Sequence, residues 1–431
     1  MNVACVCAYL SALLPECNMD GQRILVIGHT HPESGATAAG VRMLQLLRTF
    51  KENGAIVHFA VATKQGRYPD SLEALVAEIH EVRLNDSSFD ALVKRLDCDI
   101  AVFDRFMTEE QFGWRVRSQL PKCKLILDTE DLHSLRLSRQ EAVEKGISWD
   151  EDLWYRHPVF TRELASILRC DLSLMISRAE IDLLTGVFPW IKAQLVYAPF
   201  QMEAPDSQND QTHESRKHFV FAGNGKHAPN ADAIQILRNS IWPELSQRCP
   251  EAELHVYGAY LEEVPLGSDN YPGADRFIIK GYAPSIEEVF KKARLQLAPL
   301  RFGAGVKGKI ISGLQYGLPT LSTPVGWEGI GGNSKENPLI IKEISQMISK
   351  AAELYDNEMQ WEAALQQGRE LAREHFANAD NPKESSIGFH NEQAISREGR
   401  LLRDLLRSKA FDSSRFMSKW IEAKNSLLKK H

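Results

Sequence analysis

The chain has 431 residues, of which 43% are hydrophobic and 25% charged, and its formal net charge is −6. This length predicts two or three domains, and the composition is ordinary for a globular protein. The small acidic charge argues against a general nucleic-acid binder, which would carry a basic excess. The seven cysteines are irregularly spaced and form no C-x-x-C pair, which argues against cysteine zinc and redox motifs and predicts a cytoplasmic location.

The first predicted segment is an N-terminal extension, residues 1–20. It contains a short apolar run, VACVCAYLSALL (3–14), that no Lys or Arg precedes. A secretory signal normally begins with basic residues, and a membrane-spanning helix needs about 20 apolar residues. A loosely packed extension is therefore the favoured interpretation, and a membrane-surface anchor or a weak signal peptide stays open.

Residues 21–200 are predicted to form a first α/β domain. Their apolar runs are continuous rather than alternating, which is typical of strands buried on both faces of a parallel sheet. The segment 40–54 has the apolar spacing of an amphipathic helix, and Gly54 is placed to end it. The predicted strands are 23–29, 56–62, 100–104, 124–130, 172–177 and 194–199.

The polar segment 201–217 predicts a linker, after which the alternation of strands and helices restarts in a second domain, residues 218–385. The predicted helices of this domain are 231–245 and 285–293, and its predicted strands are 218–223, 253–258, 276–282, 295–300, 319–323 and 338–342. The fold class is therefore α/β, with two tandem Rossmann-like doubly wound domains, an interdomain cleft and a helical C-terminal tail (386–431). Ligands of such sheets bind at the carboxyl ends of the strands, which predicts a site in the cleft.

The segment GAGVKGKI (303–310) follows the fourth predicted strand of the second domain and partly matches two phosphate-binding motifs. A Walker A loop would need Ser or Thr after Lys309, where this chain has Ile310. A dinucleotide fingerprint would match the three glycines, with Glu328 placed to reach a ribose hydroxyl. Both motifs belong in the first βα turn of a domain, so neither an ATPase nor an NAD- or FAD-dependent enzyme is favoured.

The features that the two motifs share still predict a phosphate site. A glycine-rich turn leads from a strand into a helix, so free backbone N–H groups meet the positive end of the helix dipole. Arg301, Lys307 and Lys309 add positive charge, which suits a diphosphate that gains negative charge as it leaves. A glycine turn whose lysines face solvent is the alternative.

The stretch 221–330, from FAGNGKHAPNADAIQIL to STPVGWEGI, resembles the donor-binding domain of the group 1 glycosyltransferases, also called family four, which have the two-domain GT-B fold. HPESGATAAGVRMLQLL (31–47) and LDTEDLHSLRLSR (127–139) are similar to that fold's first acceptor-side loop and to the strand end below the cleft. The resemblance implies a nucleotide-diphosphate sugar as donor, no cofactor or essential metal, and usually retention of anomeric configuration. It implies a glycan, lipid-linked or small acceptor, and a sugar-nucleotide epimerase of the same fold is the alternative enzyme.

The resemblance also implies roles for individual residues of this chain. His133 and Asp131 are the candidate catalytic residues near the transferred sugar. The implied donor-binding residues, which hold the diphosphate or line its pocket, are Gly35, Arg301, Gly305, Lys307, Lys309, Ser312, Glu328 and Gly329. The alternatives are a capped or surface histidine for His133, and helix N-cap or loop acids for Asp128, Glu130 and Asp131.

The chain departs from the family at one place. The family usually has two glutamates eight positions apart, where this chain has Ala304 and Ser312. The second usually grips the donor ribose, so Ser312 would bind it more weakly or Glu328 would take the role. Loss of both leaves a catalytically degenerate donor-binding or scaffold subunit as an alternative. Two D-x-D matches, 97–99 and 150–152, would suggest a metal-dependent enzyme, but they lead into a strand and lie in a charged helical stretch, and we interpret both as chance.

The tail carries a basic excess, because residues 396–431 contain ten Lys and Arg against four Asp and Glu. Its leucines repeat at helical spacing, which predicts a helix pair packed on the core. The alternative is peripheral docking on an anionic membrane surface, where lipid-linked acceptors reside.

Overall fold

The computed structural model describes residues 19–200, 212–268, 270–330, 337–379, 397–408 and 413–428. The predicted N-terminal extension, apart from its last two residues, and most of the predicted linker lie outside these residues. The described residues form two parallel α/β sheets covered by helices, which confirms the predicted fold class.

The first sheet has seven parallel strands in the order β3-β2-β1-β4-β5-β6-β7. The strands are β1 (Arg23–Gly28), β2 (Ile56–Val61), β3 (Glu78–Glu81), β4 (Ile100–Asp104), β5 (Lys124–Asp128), β6 (Leu172–Met175) and β7 (Leu195–Tyr197). All six strands predicted for this domain are present. The sequence analysis missed β3, because three of its four residues are polar and it lies at the sheet edge, paired with β2.

Helices cover both faces of the first sheet. They are α1 (Ala38–Glu52), α2 (Ser88–Leu96), α3 (Arg105–Thr108), α4 (Trp114–Gln119), α5 (His133–Lys145), α6 (Glu151–Arg156), α7 (Pro158–Arg169) and α8 (Arg178–Val187), with a π-helical turn at Glu109–Gly113 and a 3-10 helix at Pro189–Gln194. Helix α1 begins at a Thr37 cap and ends at Glu52, two residues before Gly54, which has a φ of +84°. Its buried Arg42 pairs with Asp128 at 3.0 Å, which ties the helix to β5.

The second sheet has five parallel strands in the order β10-β9-β8-β11-β12. The strands are β8 (Lys217–Ala222), β9 (Leu254–Tyr257), β10 (Phe277–Gly281), β11 (Ala293–Ala298) and β12 (Thr320–Ser322). The sixth strand predicted here, 338–342, is wrong: Ile340 makes a single isolated bridge to Ser322. Its apolar residues are buried because they pack on the core as a loop, and burial alone does not distinguish a strand from such a loop.

Helices and short turns surround the second sheet. They are α9 (Ala228–Ile236), α10 (Trp242–Arg248), α11 (Ile286–Lys292), α12 (Gly308–Gln315), α13 (Pro324–Trp327), α14 (Ile344–Asp356) and α15 (Glu358–Ala379), with a π-helical turn at Leu237–Ile241 and 3-10 helices at Leu261–Glu263 and Ala274–Arg276. The predicted helix 231–245 is thus two helices joined by a π-helical turn. Pro243 opens α10 and has no N–H to give to the preceding turn, which accounts for the irregularity.

The tail contains two helices, α16 (Arg397–Arg407) and α17 (Ser413–Leu428), which confirms that it is helical. Both helices return to the first domain. Leu402 and Leu406 of α16 pack against the apolar core of that domain. Arg115 of α4 donates to Ser418 and to Glu422 of α17, both at 3.2 Å. Within the described ranges, the chain contains no helix of the length and apolar character needed to span a membrane.

The Arg115 cluster provides a test of how the tail is held. The Arg115 side chain is 1% exposed and also pairs with Asp90 at 2.8 Å. The Arg115→Ala change leaves Asp90 and Glu422 without their cation, and we expect the free energy of unfolding in urea to fall by about 3 kcal/mol. The matched control is Arg156→Ala, which removes a pair that is exposed on both sides and should cost less than about 0.5 kcal/mol. Equal losses in the two variants would contradict this account of the tail.

Candidate functional site

The predicted glycine loop lies where the two domains meet. It connects β11 to α12 at the carboxyl end of the second sheet, as expected for a ligand site in a doubly wound domain. Gly305 has a φ of +61°, a conformation that L side chains rarely adopt. A Cβ atom on Gly305 would lie 2.9 Å from Cβ of Asp131, across the cleft. The glycine therefore allows the loop to approach the first domain closely.

A carboxyl group of the first domain accepts a hydrogen bond from a backbone N–H of this loop. Gly305 donates its N–H to Oε1 of Glu180 at 2.6 Å, and Leu132 donates to the same oxygen at 3.1 Å. Glu180 is 1% exposed, and its Oε2 meets no hydrogen-bond donor among the residues described. Burial, followed by the negative charge of Asp131, raises the pKa of Glu180 to about 8. The loop thus binds a carboxyl oxygen at the point where a phosphate oxygen is predicted to bind.

A second buried carboxyl group caps helix α5, which carries His133. Glu163 of α7 accepts the N–H of His133 at 2.8 Å and the N–H of Ser134 at 3.0 Å. These are N–H groups that the first turn of a helix leaves without partners. Burial raises the pKa of Glu163 to about 7 despite these donors. The cap fixes the start of the helix and, with it, the position of the His133 ring.

The two candidate catalytic residues contact each other. Nδ1 of His133 lies 3.1 Å from the carbonyl oxygen of Asp131 and 3.1 Å from its carboxylate. Because a carbonyl can only accept, Nδ1 carries the hydrogen and Nε2 keeps its lone pair. Burial lowers the pKa of His133 to about 4, so the ring is neutral at pH 7. Burial alone would raise the pKa of Asp131, but Arg136, at 2.6 Å, outweighs it and keeps the carboxylate ionised.

An ion pair crosses the cleft beside the loop. Arg139 of α5 holds both carboxylate oxygens of Glu328, at 2.6 and 2.8 Å, and donates to the Gly303 carbonyl at 2.9 Å. Lys307 donates to the Gly305 carbonyl at 3.0 Å and lies 3.8 Å from Glu328. Burial lowers the pKa of Lys307, although Glu328 partly offsets it. Glu328 therefore lies between two cations, one from each domain, and its single charge can balance only one of them.

Lys309 differs from the other cations of the loop. Its Nζ donates to the neutral Asn230 side chain at 2.8 Å, and in the described part of the chain no carboxylate lies within ion-pair distance of it. Burial, and then the charge of Lys307, lowers the pKa of Lys309 to about 8. Arg301 instead forms a bidentate pair with Asp232, and its side chain is half exposed.

The remaining predicted donor-binding residues lie around the loop. Ser312 is half-buried on α12, about one turn after Lys309. A Cβ atom on Gly35 would lie 2.3 Å from Oη of Tyr282, and one on Gly329 would lie 2.7 Å from Oγ of Ser177. Like Gly305, these two glycines stand where one domain closely approaches the other.

A second set of contacts joins the domains on the Gly35 side of the cleft. The ring of Tyr68 stacks on that of Tyr282 with centroids 3.9 Å apart. Tyr260 donates its hydroxyl to the Glu33 carboxylate at 3.3 Å, and Arg67 pairs with Glu262 at 2.6 Å. The cleft is therefore bridged on both sides, with His133 and Lys309 between the bridges.

The floor of the cleft in the first domain is acidic and strained. Arg105 and Glu130, which follow β4 and β5, have φ values of +70° and +59°. Such conformations cost roughly 1–2 kcal/mol for a residue with a side chain and concentrate at functional sites. Glu130 is 6% exposed, and its Oε1 has no partner among the described residues. Burial and the neighbouring Asp128 raise its pKa well above the usual range.

The sequence analysis did not single out Glu163, Glu180 or Arg139. Glu180 stands three residues after Ser177, which is the spacing of a helix-capping box, and Ser177 does accept its N–H at 3.4 Å. That signal predicts a helix start and gives no hint of a second contact with Gly305. Arg139 lies within the stretch that carries the resemblance, but its partner is 189 residues away.

Comparison with known proteins gives a family for part of the chain. Residues 216–357 match the family model described as "Glycosyl transferases group 1". No curated protein sequence matches the chain significantly.

Solved structures match over nearly the whole chain at low identity. A glycosyltransferase from Rickettsia africae is 9% identical with a TM-score of 0.56, covering 90% of this chain and 99% of that one. Anabaena HepE in complex with UDP-glucose is 12% identical with a TM-score of 0.55, covering 89% and 98%. An O-GlcNAc transferase mutant from Thermobaculum terrenum is 14% identical with a TM-score of 0.50, covering 91% and 69%. The chain thus has the two-domain GT-B fold of these structures, and residues 216–357 match the group 1 glycosyl transferase model.

The raised pKa of Glu180 predicts a pH dependence of stability. The folded protein holds a proton that the unfolded chain releases above about pH 4.5, so this group makes the free energy of unfolding fall as pH rises to about 8. Relative to wild type, Glu180→Gln should therefore gain stability over this interval, by up to about 1.4 kcal/mol per pH unit. Urea unfolding of both proteins at several pH values measures the difference. Glu141→Gln, on the exposed face of α5, is the control, and a difference for Glu180→Gln that does not vary with pH would contradict the assignment.

Proposed function

We propose that the protein is a glycosyltransferase that moves a sugar from a nucleotide-diphosphate sugar to an acceptor hydroxyl in the interdomain cleft. The observation that carries the proposal is the glycine loop and its lysines, which lie within the group 1 domain and face His133 and Asp131. Two of the structural relatives are described with UDP-glucose bound and as an O-GlcNAc transferase. Their chemistry is consistent with a sugar donor of this class.

The donor diphosphate would bind at the loop. Lys309 offers a cation that no described carboxylate neutralises, and the N–H of Gly305 is aimed at an acceptor. A diphosphate oxygen would take the place of Glu180 Oε1, a carboxyl oxygen whose two donors are backbone N–H groups. Lys307 would also bind the diphosphate, because it only shares Glu328 with the more closely held Arg139. These donors would stabilise the charge that develops on the leaving group, which is the work a metal ion would otherwise do.

The sugar would lie against His133, and we propose transfer with retention and without an essential metal. The neutral ring presents the lone pair of Nε2, which accepts a hydrogen bond from a sugar hydroxyl. Asp131 holds the ring through Nδ1 and stays ionised, so it positions the ring without competing for the proton. Closure of the domains over the sugar would exclude water, which favours transfer over hydrolysis.

The acceptor would enter from the first domain, where the floor carries Arg105 and Glu130. A hydroxyl group could bind the unpartnered Oε1 of Glu130, and an anionic group could bind near Arg105. A glycan, a lipid-linked glycan or a small hydroxylated molecule all offer such groups.

One observation favours a second candidate, a subunit that binds the donor without turnover. Ser312 stands on α12 where the resemblance leads one to expect a glutamate, and Ala304 replaces the other. A sugar-nucleotide epimerase would use the same donor site.

The proposed activity is tested with a panel of nucleotide-diphosphate sugars. We expect slow hydrolysis of one donor, with release of free nucleoside diphosphate, since water replaces the missing acceptor. His133→Ala should lower this rate at least about tenfold with little effect on nucleotide binding. Arg156→Ala, which removes a surface pair with Asp152 that is exposed on both sides, is the control and should keep the rate. Binding without release would favour the subunit, and isomerised donor would favour the epimerase.

The pKa of Lys309 predicts how nucleoside diphosphate binding varies with pH. Its ammonium group is protonated below about pH 8 and loses its proton as the pH rises through that value. Calorimetric affinity for a nucleoside diphosphate should therefore fall above about pH 8, while affinity for the nucleoside should not change. Lys309→Arg should keep the affinity constant, because a guanidinium does not deprotonate in this range. The same decline in Lys309→Arg would show that another group is responsible.

A further inference from the structure

The edge of the first sheet, far from the glycine loop, carries a cluster of two histidines and a glutamate. His58 lies on β2, and Glu78 and His80 lie on β3. The parallel register pairs His58 with Glu78, and His80 follows two residues later, so all three side chains stand on one face of the sheet. One donor atom from each residue lies within 4.8 Å of the other two.

We propose that His58, Glu78 and His80 bind a zinc ion that joins β2 to the edge strand β3. Nδ1 of His58 and Nε2 of His80 are 3.2 Å apart. Two nitrogens bound to one tetrahedral zinc at about 2.0–2.1 Å are separated by roughly 3.3 Å, so the imidazoles already have the spacing of a ligand pair. Glu78 supplies the third donor, and water would complete the coordination.

The carboxylate of Glu78 is placed to serve such an ion. Its Oε1 lies 3.6 Å from Nδ1 of His80, which is longer than a hydrogen bond, so the carboxylate is not committed to that ring. Its side chain is 51% exposed and can turn toward the two nitrogens. Arg95 approaches the other oxygen at 3.8 Å, an exposed contact that leaves Oε1 available. Two imidazoles and one carboxylate are a donor set that suits zinc.

A similar cluster on the second sheet shows what distinguishes the proposed site. There, His218 Nδ1 accepts the backbone N–H of Glu253 at 3.2 Å, so the hydrogen of that ring must be on Nε2. His255 Nε2 lies 2.6 Å from the Glu253 carboxylate, as a hydrogen-bond donor would. The His255 nitrogen that faces the cluster thus carries a hydrogen bonded to Glu253, and the lone pair of His218 Nδ1 is already taken by a backbone N–H. This cluster is complete without an ion, and it provides the control.

The position of the proposed site suggests what the ion would do. Residues 62–77 connect β2 to β3, and they carry Arg67 and Tyr68, which contact Glu262 and Tyr282 of the second domain. The strand β3 has four residues and pairs with β2 alone. A zinc ion at its start would hold the end of the segment 62–77 that enters β3, and so limit the movement of the residues that bridge the cleft.

Zinc titration of the chelator-treated, full-length protein tests the proposal. We expect calorimetry to show one tight zinc site in the wild type. His58→Gln and His80→Gln should weaken it at least about 100-fold, and Glu78→Gln about tenfold. His255→Gln should leave it unchanged. His58 is only half-buried, so His58→Gln is expected to fold even if His80→Gln does not, and circular dichroism checks both.

Cobalt(II) gives a second readout, because its absorption spectrum reports the ligands. Binding with a tetrahedral spectrum that lacks thiolate charge-transfer bands, and that His58→Gln abolishes, supports the site. A wild type that binds no zinc tightly, a site that survives in His58→Gln, or thiolate bands in the cobalt spectrum would each overturn the proposal.

Discussion

A helix that begins inside a protein must find acceptors for its first N–H groups, and α5 finds them in two buried carboxyl groups. Glu163 comes from α7 and Glu180 from α8, so side chains of two later helices fix the start of α5. His133, whose ring is a candidate catalytic group, is the first residue of this helix, and Arg139 lies within its next two turns. Because Glu180 also accepts the N–H of Gly305, one carboxyl group sets the start of the helix and the distance to the second domain.

The charges of the cleft are balanced unevenly. Arg139 and Lys307 share Glu328, and Arg136 holds Asp131, so these cations already have anionic partners. Lys309 has a neutral partner, and the pKa of its ammonium group is lowered by its surroundings. A diphosphate entering the cleft would therefore meet Lys309, which has no carboxylate partner among the described residues, and Lys307, which shares one with Arg139. The Arg139–Glu328 pair joins the two domains, so a ligand that replaced Glu328 would also change how the domains are joined.

Much of the fold could be predicted from the sequence because parallel strands buried on both faces leave continuous apolar runs. All six such runs in the first domain are strands. The edge strand β3 could not be found this way, since EIHE has one apolar residue and only His80 is buried. The glycine loop was also predictable, because glycines and lysines between a strand and a helix are a local pattern. Glu180 and Arg139 were not, because their roles depend on partners 125 and 189 residues away.

The return of α16 and α17 to the first domain has a mechanical consequence. The backbone passes from the first sheet to the second between residues 200 and 212, and it passes back between α15 and α16. Two bodies that are tied at one point can swing in any direction, whereas two bodies tied at two points turn most easily about the line through both. The tail thus gives the two domains a second point of connection, which favours rotation about a single axis. Opening and closing of the cleft would then follow the same path each time, and the glycine loop of the second domain would return to the same position against α5.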